Sequence, residues 1–382
     1  MNFDFTDEQT RVRDAVREFA EKEIAPGVAG REKRGEFPHA VLVRLAEMGI
    51  LGMMVPEEYG GAGADCLSYI LAIEELSRVC ASTAVIVSVN NSVFCYPVGQ
   101  FGTEEQKATI LSEVASGRAL GAYALTEPQS GSDAANQKTR AVRDGDHYVL
   151  DGVKAWITNA GEAKWYVVMA MTEPSAGTRG ITAFLVSAED AGVRPGAPED
   201  KMGLRASKTA ALFLENVRVP VSRRLGAEGQ GFTIAMTTLD HSRIGIAAQG
   251  IGIARASYEA AVEYARTRES FGKKLAEHEA IAFQIADMYV QIEAARLLTY
   301  RAAKRSEMPG VRFSKESSMA KVFATEAANA IANRAVQIFG GYGYSKEYAV
   351  ERLYRDARVT TIYEGTSEIQ RMVISKNLLA GR

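Results

Sequence analysis

The chain has 382 residues, 47% of them hydrophobic, and a formal net charge of -2. That length buries a large core and implies more than one domain. The near balance of charge argues against a dedicated nucleic-acid binder, while leaving room for local basic patches that face a phosphorylated small molecule.

Residues 1–120 read as mostly helical. The opening MNFDFTDEQTRVRDAVREFAEKEI is acidic and amphipathic, without the basic head and apolar core of a secretory signal. No run is long and apolar enough to be expected to span a bilayer. A soluble, reducing compartment is expected: the cytoplasm, or the mitochondrial matrix for a processed eukaryotic chain. Thr6 and Gln9 have the spacing of a capping box, and Val12, Val16 and Phe19 then recur on one helical face as core. Residues 68–85 and 104–116 also read as helices. VPEEYGGAG at 55–63 is a connection whose Gly60, Gly61 and Gly63 lack the strand–turn–helix setting of a dinucleotide fingerprint. Cys66, Cys80 and Cys95 are an odd set with no close metal-ligand pair and read as buried thiols.

From 121 to 230 the pattern changes. HYVLDGVKAWIT, WYVVMAM and GITAFLV are short β-rich runs broken by Asp-Gly and polar turns, and TAALFLENVRVP is another, ending at Pro220. They do not alternate with long helices, so an antiparallel middle domain fits better than a doubly wound sheet. Ahead of them, Thr126, Ser130 and Ser132 lie among Pro128, Gly131 and Asp133. That loop is either a plain polar turn or a display of hydroxyls and N–H groups for an anion or heterocycle. In AWITN, strand alternation puts Trp156 and Thr158 on one face. Either a ring system stacks on the indole while Thr158 donates a hydrogen bond, or the indole fills a domain interface.

From 231 to 382 the chain is helical again, with Ala-dense spacing in IGIAAQGIGIARASYEAAVEYA and in 316–338 that suits a bundle. Asp240, His241, Ser242 and Arg243 form a polar cluster where that apolar helix begins, with Asp240 as its expected cap. His241 has no GxSxG element beside it. His39, His147, His241 and His278 show no HExxH or comparable metal spacing, so neither hydrolase nor metal chemistry is expected. Arg268 and Phe271 in RTRESFGKK suit a pyrophosphate and an adenine, or equally a solvated helix end. The glycines of FGGYGYS, 339–345, serve a helix connection or the close approach of a ligand to the backbone. Arg352, Arg355 and Arg358, alternating with Glu351 and Asp356, read as salt bridges between helices. In RDARVTTIYEGTSEIQR, Glu364 stands in an interhelical loop. Such a residue is commonly surface or helix-pairing material, yet Ile362 and Tyr363 would hold it near an apolar cleft, where burial raises a carboxylate pKa. It would then act as a base only on a proton made unusually acidic.

The motifs YALTEPQSGSD, KAWITNAG, KMGLRASKTA, TLDHSRIGIAAQ, QIFGGYGY and RDARVTTIYEGTSEIQR follow one another along essentially the whole chain. In that order they resemble the acyl-CoA dehydrogenase family. ASTAVIVSVNNS and the IYEGT glutamate are most similar to its short-chain, butyryl-type members. The resemblance implies an all-α N-terminal domain (1–120), an antiparallel β middle domain (121–230), a C-terminal four-helix bundle (231–382) and a homotetramer built as a dimer of dimers. It implies FAD between the β and C-terminal domains, with Ala124, Leu125, Thr126, Ser132, Trp156, Ile157, Thr158 and Asn159 around the flavin. Arg268, Phe271, Gln337, Ile338, Gly340 and Gly341 would come from a neighbouring subunit, and Thr366 and Glu368 would approach the adenosine. Ser132, Asp240, His241, Arg243 and Gly365 fall near the acyl-CoA, and Glu364 matches the catalytic glutamate. Some relatives carry their base in the helix after the β-domain; the matching residue here is Ser242, which cannot replace a carboxylate.

The implied reaction removes an α-proton from a short-chain acyl-CoA and delivers a β-hydride to FAD, giving a trans-2,3-enoyl-CoA. Electrons then pass to an electron-transfer flavoprotein. Medium-chain or branched acyl preference, an acyl-CoA oxidase and a non-catalytic flavin-binding protein are the competing readings. One departure stands out: after FGKKL the family commonly has an aromatic or leucine followed by glutamine, and here the pair is His278 and Glu279. An ionised Glu279 cannot donate as an amide does, and it would place negative charge near the cofactor's phosphates.

Overall fold

A computed structural model describes residues 4–379. The expected capping box opens the first helix, α1 (Asp7–Phe19): the Gln9 N–H donates to the Thr6 hydroxyl at 3.2 Å and the Gln9 side chain accepts from the Thr6 N–H at 3.0 Å. Val16 and Phe19 are buried and Val12 packs at their edge. The helix expected over 68–85 is in fact two, α2 (Cys66–Val79) and α3 (Ala81–Ser88), because Cys80 is extended (φ -149°, ψ 97°). A second capping box, Thr103 with Gln106, starts the helical run Glu104–Ala115, and this box was overlooked in the sequence. All three cysteines are buried free thiols.

The middle region supplies β1 (Gly121–Ala124), β2 (Arg140–Asp144), β3 (His147–Thr158), β4 (Trp165–Met171), β5 (Ile181–Ser187), β6 (Val193–Pro198), β7 (Thr209–Pro220) and β8 (Arg224–Leu225). They form one sheet in the order β6-β7-β3-β2-β4-β5-β8, with β1 beside β4. The four runs identified in the sequence are β3, β4, β5 and β7. The long pair β3–β7 is antiparallel, with a bulge between Lys154 and Ile157. Two pairings, β1–β4 and β2–β4, are parallel. β6 carries Pro195 and Pro198 and lies at the sheet edge, where a missing N–H does no harm.

Three long helices follow, α4 (Gly231–Thr267), α5 (Glu279–Ser306) and α6 (Ser314–Phe339), then two shorter ones that pack on α6, α7 (Ala349–Thr360) and α8 (Ser367–Leu379). The architecture is thus the expected succession of helices, sheet and helices. From His241 to Ala254 α4 is buried on every side, against α2 and α6. Gly252 allows this: a Cβ there would stand 2.4 Å from the Glu74 carbonyl oxygen. Asp240 lies well inside α4 and does not cap it; the helix starts at Gly231 with no side-chain cap. Arg355 also departs from expectation. It pairs with Glu351 inside α7 at 2.8 Å and donates to the Met202 carbonyl at 2.9 Å, so it links a helix to the β region and not two helices. Among the described residues, no helix is long and apolar enough to cross a membrane.

Two adjacent buried acids on α2 tie the helical regions together. Glu74 accepts from Arg255 of α4 (2.8 Å) and Arg296 of α5 (2.6 Å); Glu75 accepts from Arg17 of α1 and Arg255, both at 2.8 Å. Burial would raise the Glu75 carboxyl, but these guanidinium groups hold it down to about 2. Buried carboxylates are tolerated only when paired. Arg255→Met is therefore expected to destabilise the protein by about 3 kcal/mol, read as a lower urea midpoint. Because the folded Glu75 titrates below its ordinary value of 4.5, its contribution is present above that value and is lost as pH falls from there toward about 2. The gap between variant and parent should narrow over that window.

Candidate active site

The loop between α7 and α8 makes a sharp left-handed turn, with φ +51° at Glu364 and +94° at Gly365. A non-glycine residue holds such a backbone only where its surroundings over-determine it. Here three helices supply the donors. Gln370 of α8 donates to both carbonyls, Glu364 at 3.2 Å and Gly365 at 2.9 Å. Arg243 of α4 donates to Glu364 at 3.4 Å, and Lys321 of α6 to Gly365 at 2.7 Å. Next door, the Tyr363 phenol donates to the Gln249 side chain.

The turn aims the Glu364 carboxylate back at α4. The Ser242 hydroxyl donates to the Leu239 carbonyl at 3.2 Å, and the Glu364 Oε2 is buried with no partner among the described residues. Burial raises the carboxyl's pKa, with Ser242, Lys321 and Arg243 opposing. Among the described residues the Glu364 N–H also has no acceptor. The Tyr123 phenol, likewise buried and unpartnered, feels the same carboxylate, as does Tyr69, whose hydroxyl meets Ser88 at 3.0 Å.

The polar cluster on α4 divides. Asp240 accepts from Arg243 at 2.6 Å and from the Ser314 hydroxyl. Burial raises the Asp240 carboxyl and lowers the Arg243 guanidinium. His241 turns to Tyr96 and stacks on it, centroids 4.1 Å apart and planes at 11°. Burial pushes its imidazole down to about 4, so the ring is neutral.

The second group lies on the sheet. At the β3 bulge Trp156 adopts φ +60° and stays 62% exposed, Ile157 turns inward, and Thr158 is half-buried on the side of Trp156. Asn159 is buried and donates to the Gly121 carbonyl at 3.1 Å. The loop after β1 is tied to this strand end. The Ala155 N–H donates to the Thr126 carbonyl (2.9 Å), and the buried Lys154 donates to the Leu125 carbonyl (3.2 Å), Glu127 (2.8 Å) and Gln137 (3.2 Å). Burial would raise Glu127, but Lys154 and the Lys138 and Thr139 N–H groups hold it at about 2. Ala124, Leu125 and Ile157 are buried, which leaves only their backbone for a ligand. Ser130 corrects the sequence reading: its hydroxyl is buried and donates to the Asp133 carbonyl at 2.6 Å, whereas Ser132 is exposed.

A third group surrounds a depression of about 430 Å³ where α6 ends, lined by Arg268, Ile338, Gly340 and Gly341 together with Tyr264 and Tyr342. The Arg268 guanidinium lies 5.6 Å over the Tyr342 ring. An added Cβ at Gly340 or Gly341 would meet nothing within 4 Å, so a ligand has open backbone to approach; Gly340 is required by its own backbone (φ +60°, ψ -135°), whereas neither packing nor a positive φ demands Gly341. Gln337 is exposed nearby on α6, and Phe271 is 96% exposed on its own left-handed turn. Thr366 accepts from the Ile369 N–H at 3.4 Å as α8 begins, beside the exposed Glu368. Glu279 is exposed in the first turn of α5, where a helix favours negative charge irrespective of any cofactor. Lys321, Gln370 and Tyr123 escaped the sequence reading. Lys321 had a usable signal, a lone cation on the small-residue stripe of Ser317, Ala320, Ala324 and Ala328.

The chain matches family models along most of its length: the acyl-CoA dehydrogenase N-terminal domain over residues 6–118, the middle domain over 122–217 and the C-terminal domain over 229–379. It is 52% identical over 370 residues to the mitochondrial short-chain specific acyl-CoA dehydrogenase of Bos taurus, covering 96% of this chain and 89% of that one. Among solved structures it resembles butyryl-CoA dehydrogenase from Megasphaera elsdenii (TM-score 0.97, 46% identity, 99% and 100% of the two chains). It also resembles a chain from a structure described for the electron transferring flavoprotein of Acidaminococcus fermentans (TM-score 0.98, 47%, 99% and 100%). A glutaryl-CoA dehydrogenase from Mycobacterium smegmatis in complex with FADH2 is similar too (TM-score 0.93, 34%, 99% and 96%).

Lys154→Met would leave Glu127 buried without its cation. It is expected to destabilise the protein by about 3 kcal/mol and to open residues 124–139 to limited proteolysis. Adding Glu127→Gln should restore part of both, measured by urea unfolding and by the rate of cleavage.

Proposed function

The chain belongs to the acyl-CoA dehydrogenase family, and we propose that it oxidises a saturated short-chain acyl-CoA to the trans-2,3-enoyl-CoA with Glu364 as the base. The carrying observation is that one residue offers both a buried carboxylate oxygen and a backbone N–H that have no partner among the described residues. A thioester lying across this turn would give its α-proton to the carboxylate while its oxygen accepts from the N–H. That hydrogen bond would stabilise the enolate charge as it develops, without which the α-proton is too weakly acidic for a carboxylate. Burial makes the carboxylate a stronger base than in water, and Ser242 steadies its ionised form. Arg243, already neutralised by Asp240, would hold the loop in place, with Ser132, Asp240, His241, Arg243 and Gly365 bordering the acyl-CoA.

The enzyme is FAD-dependent, and the residues present suit that group. Trp156 offers an exposed ring face, Thr158 a hydroxyl on the same side, and Thr126 lies beside them. Arg268 offers a cation above open glycine backbone. When bound, FAD accepts the hydride that leaves the β-carbon. We assign Ala124–Thr126, Ser132 and Trp156–Asn159 to its flavin portion. Arg268, Phe271, Gln337, Ile338, Gly340 and Gly341 are assigned to FAD held by a neighbouring subunit of a homotetramer, and Thr366 and Glu368 to the adenosine end. Domain limits at 1–120, 121–230 and 231–382 accompany this reading. An electron-transfer flavoprotein as acceptor, in the cytoplasm or a mitochondrial matrix, completes it. The bovine and Megasphaera relatives support the short-chain preference, and the Acidaminococcus structure supports the acceptor.

Anaerobic butyryl-CoA is expected to bleach the flavin absorbance of the purified protein faster than octanoyl- or isobutyryl-CoA. Glu364→Gln should keep its flavin and lose about 10³-fold in bleaching rate. Undiminished reduction in that variant would overturn the assignment of the base, and rapid hydrogen peroxide formation in air without an acceptor protein would make the enzyme an oxidase.

A further inference from the structure

We infer that Lys321 is a positioning residue for the base: its buried ammonium anchors the Gly365 carbonyl and supplies the one uncompensated positive charge that faces Glu364 among the described residues. The inference rests on the reading of Glu364 as the base.

Lys321 is 0% exposed, and its Nζ donates to the Gly365 oxygen at 2.7 Å. A buried lysine is costly unless its charge is answered. Neighbours on its own helix face are small, so packing alone would accept an apolar side chain there. The charged groups around it come from four elements. Glu364 stands in the α7–α8 loop, Arg243 on α4, Glu326 on α6 and Glu368 on α8. Glu326 is already paired with Arg371, at 2.7 and 2.8 Å, and Glu368 is exposed to solvent. The carboxylate left to answer Lys321 is therefore Glu364.

The same count from the side of Glu364 gives the same pair. It faces Lys321, Arg243, the Ser242 hydroxyl and the phenols of Tyr69 and Tyr123. Burial raises both phenols, so they stay neutral. Arg243 is held at 2.6 Å by Asp240. Lys321 thus brings the charge that favours an ionised base, and through Gly365 it fixes the turn from which that base projects. Burial pushes the Lys321 amine down to about 7, with Glu364 pulling the other way. Its charge is present on the acid side of neutrality and favours the ionised form of Glu364 there.

The test compares Lys321→Met and Lys321→Gln with the parent enzyme in anaerobic single turnover of butyryl-CoA across pH, alongside flavin content and melting temperature. Removing the charge favours protonated Glu364, so the acid limb of the bleaching rate should move to higher pH in both variants, by about one unit. Lys321→Gln keeps an N–H donor for Gly365 and should recover to within about threefold of the parent on the alkaline plateau. Lys321→Met loses the anchor too and should stay about tenfold slower there. Flavin content should hold in both. An acid limb in Lys321→Gln that coincides with the parent's would overturn the inference. So would failure of both variants to accumulate with flavin, since Lys321 would then serve only the fold; if the Met variant alone fails to accumulate, the Gln variant decides. An active Glu364→Gln enzyme would instead remove the reading of the base on which the inference stands.

Discussion

A carboxylate held on a strained turn, with one oxygen buried and unpartnered among the described residues, is the constraint around which the proposed site is arranged. Glu364 meets it through a left-handed turn that a glutamate would not adopt unaided. The turn is held by side chains from α4, α6 and α8, all acting on two consecutive carbonyl oxygens. Those bonds fix where the carboxylate points and leave the Glu364 N–H without an acceptor among the described residues. Had the backbone been satisfied in the ordinary way, by continuing the helix, the N–H would have been consumed and the side chain would lie along the helix surface.

Holding three helices in register around one turn requires a scaffold that does not slide. Glu74 and Glu75 supply much of it, because the charges that answer them sit on α1, α4 and α5. The close passage of α4 over the Glu74 backbone at Gly252, one turn from Arg255, fixes the same helix face against α2. α4 carries Ser242, Arg243 and Gln249, each of which bonds to or borders the 363–365 turn. The ion pairs that stabilise the fold and the geometry of the candidate base are thus linked through one helix. On the sheet, Lys154 has a comparable role, since it joins the strand end bearing Trp156 to the loop bearing Thr126.

Features encoded locally were legible in the sequence. The Thr6–Gln9 box, the two 12-residue strands and the place of Glu364 between two helices follow from spacing and residue type. The family order of motifs conveyed the architecture. Features that depend on distant partners were not legible. Asp240 looked like a cap because it stands just ahead of the apolar run from Ile244, although the helical region was legible from 231, where the helix does begin. Ser130 looked available until the Asp133 carbonyl claimed its hydroxyl. The parallel pairing of β1 with β4 has no local signature, because it depends on where the chain returns after β3. Glu279 looked like a liability for a cofactor, but the helix N-terminus gives it a reason of its own.

The contact between Ser242 and Glu364 bears on how this scaffold can vary. The two residues belong to different elements, yet Ser242 is near enough to favour the ionised form of the carboxylate while its hydroxyl donates to the Leu239 carbonyl. A carboxylate projecting from position 242 would therefore reach nearly the same region as one projecting from 364. A relative with its base in the helix after the β-domain would need no new cavity, only an exchange of which wall supplies the acid. The two origins are not equivalent, however. A base on α4 would stand beside Asp240 and Arg243 on a regular helix, whereas Glu364 stands on a strained turn whose own N–H has no acceptor among the described residues. In the proposed arrangement, the base and the hydrogen-bond donor for the developing negative charge are one residue, so any movement of the turn would shift both together.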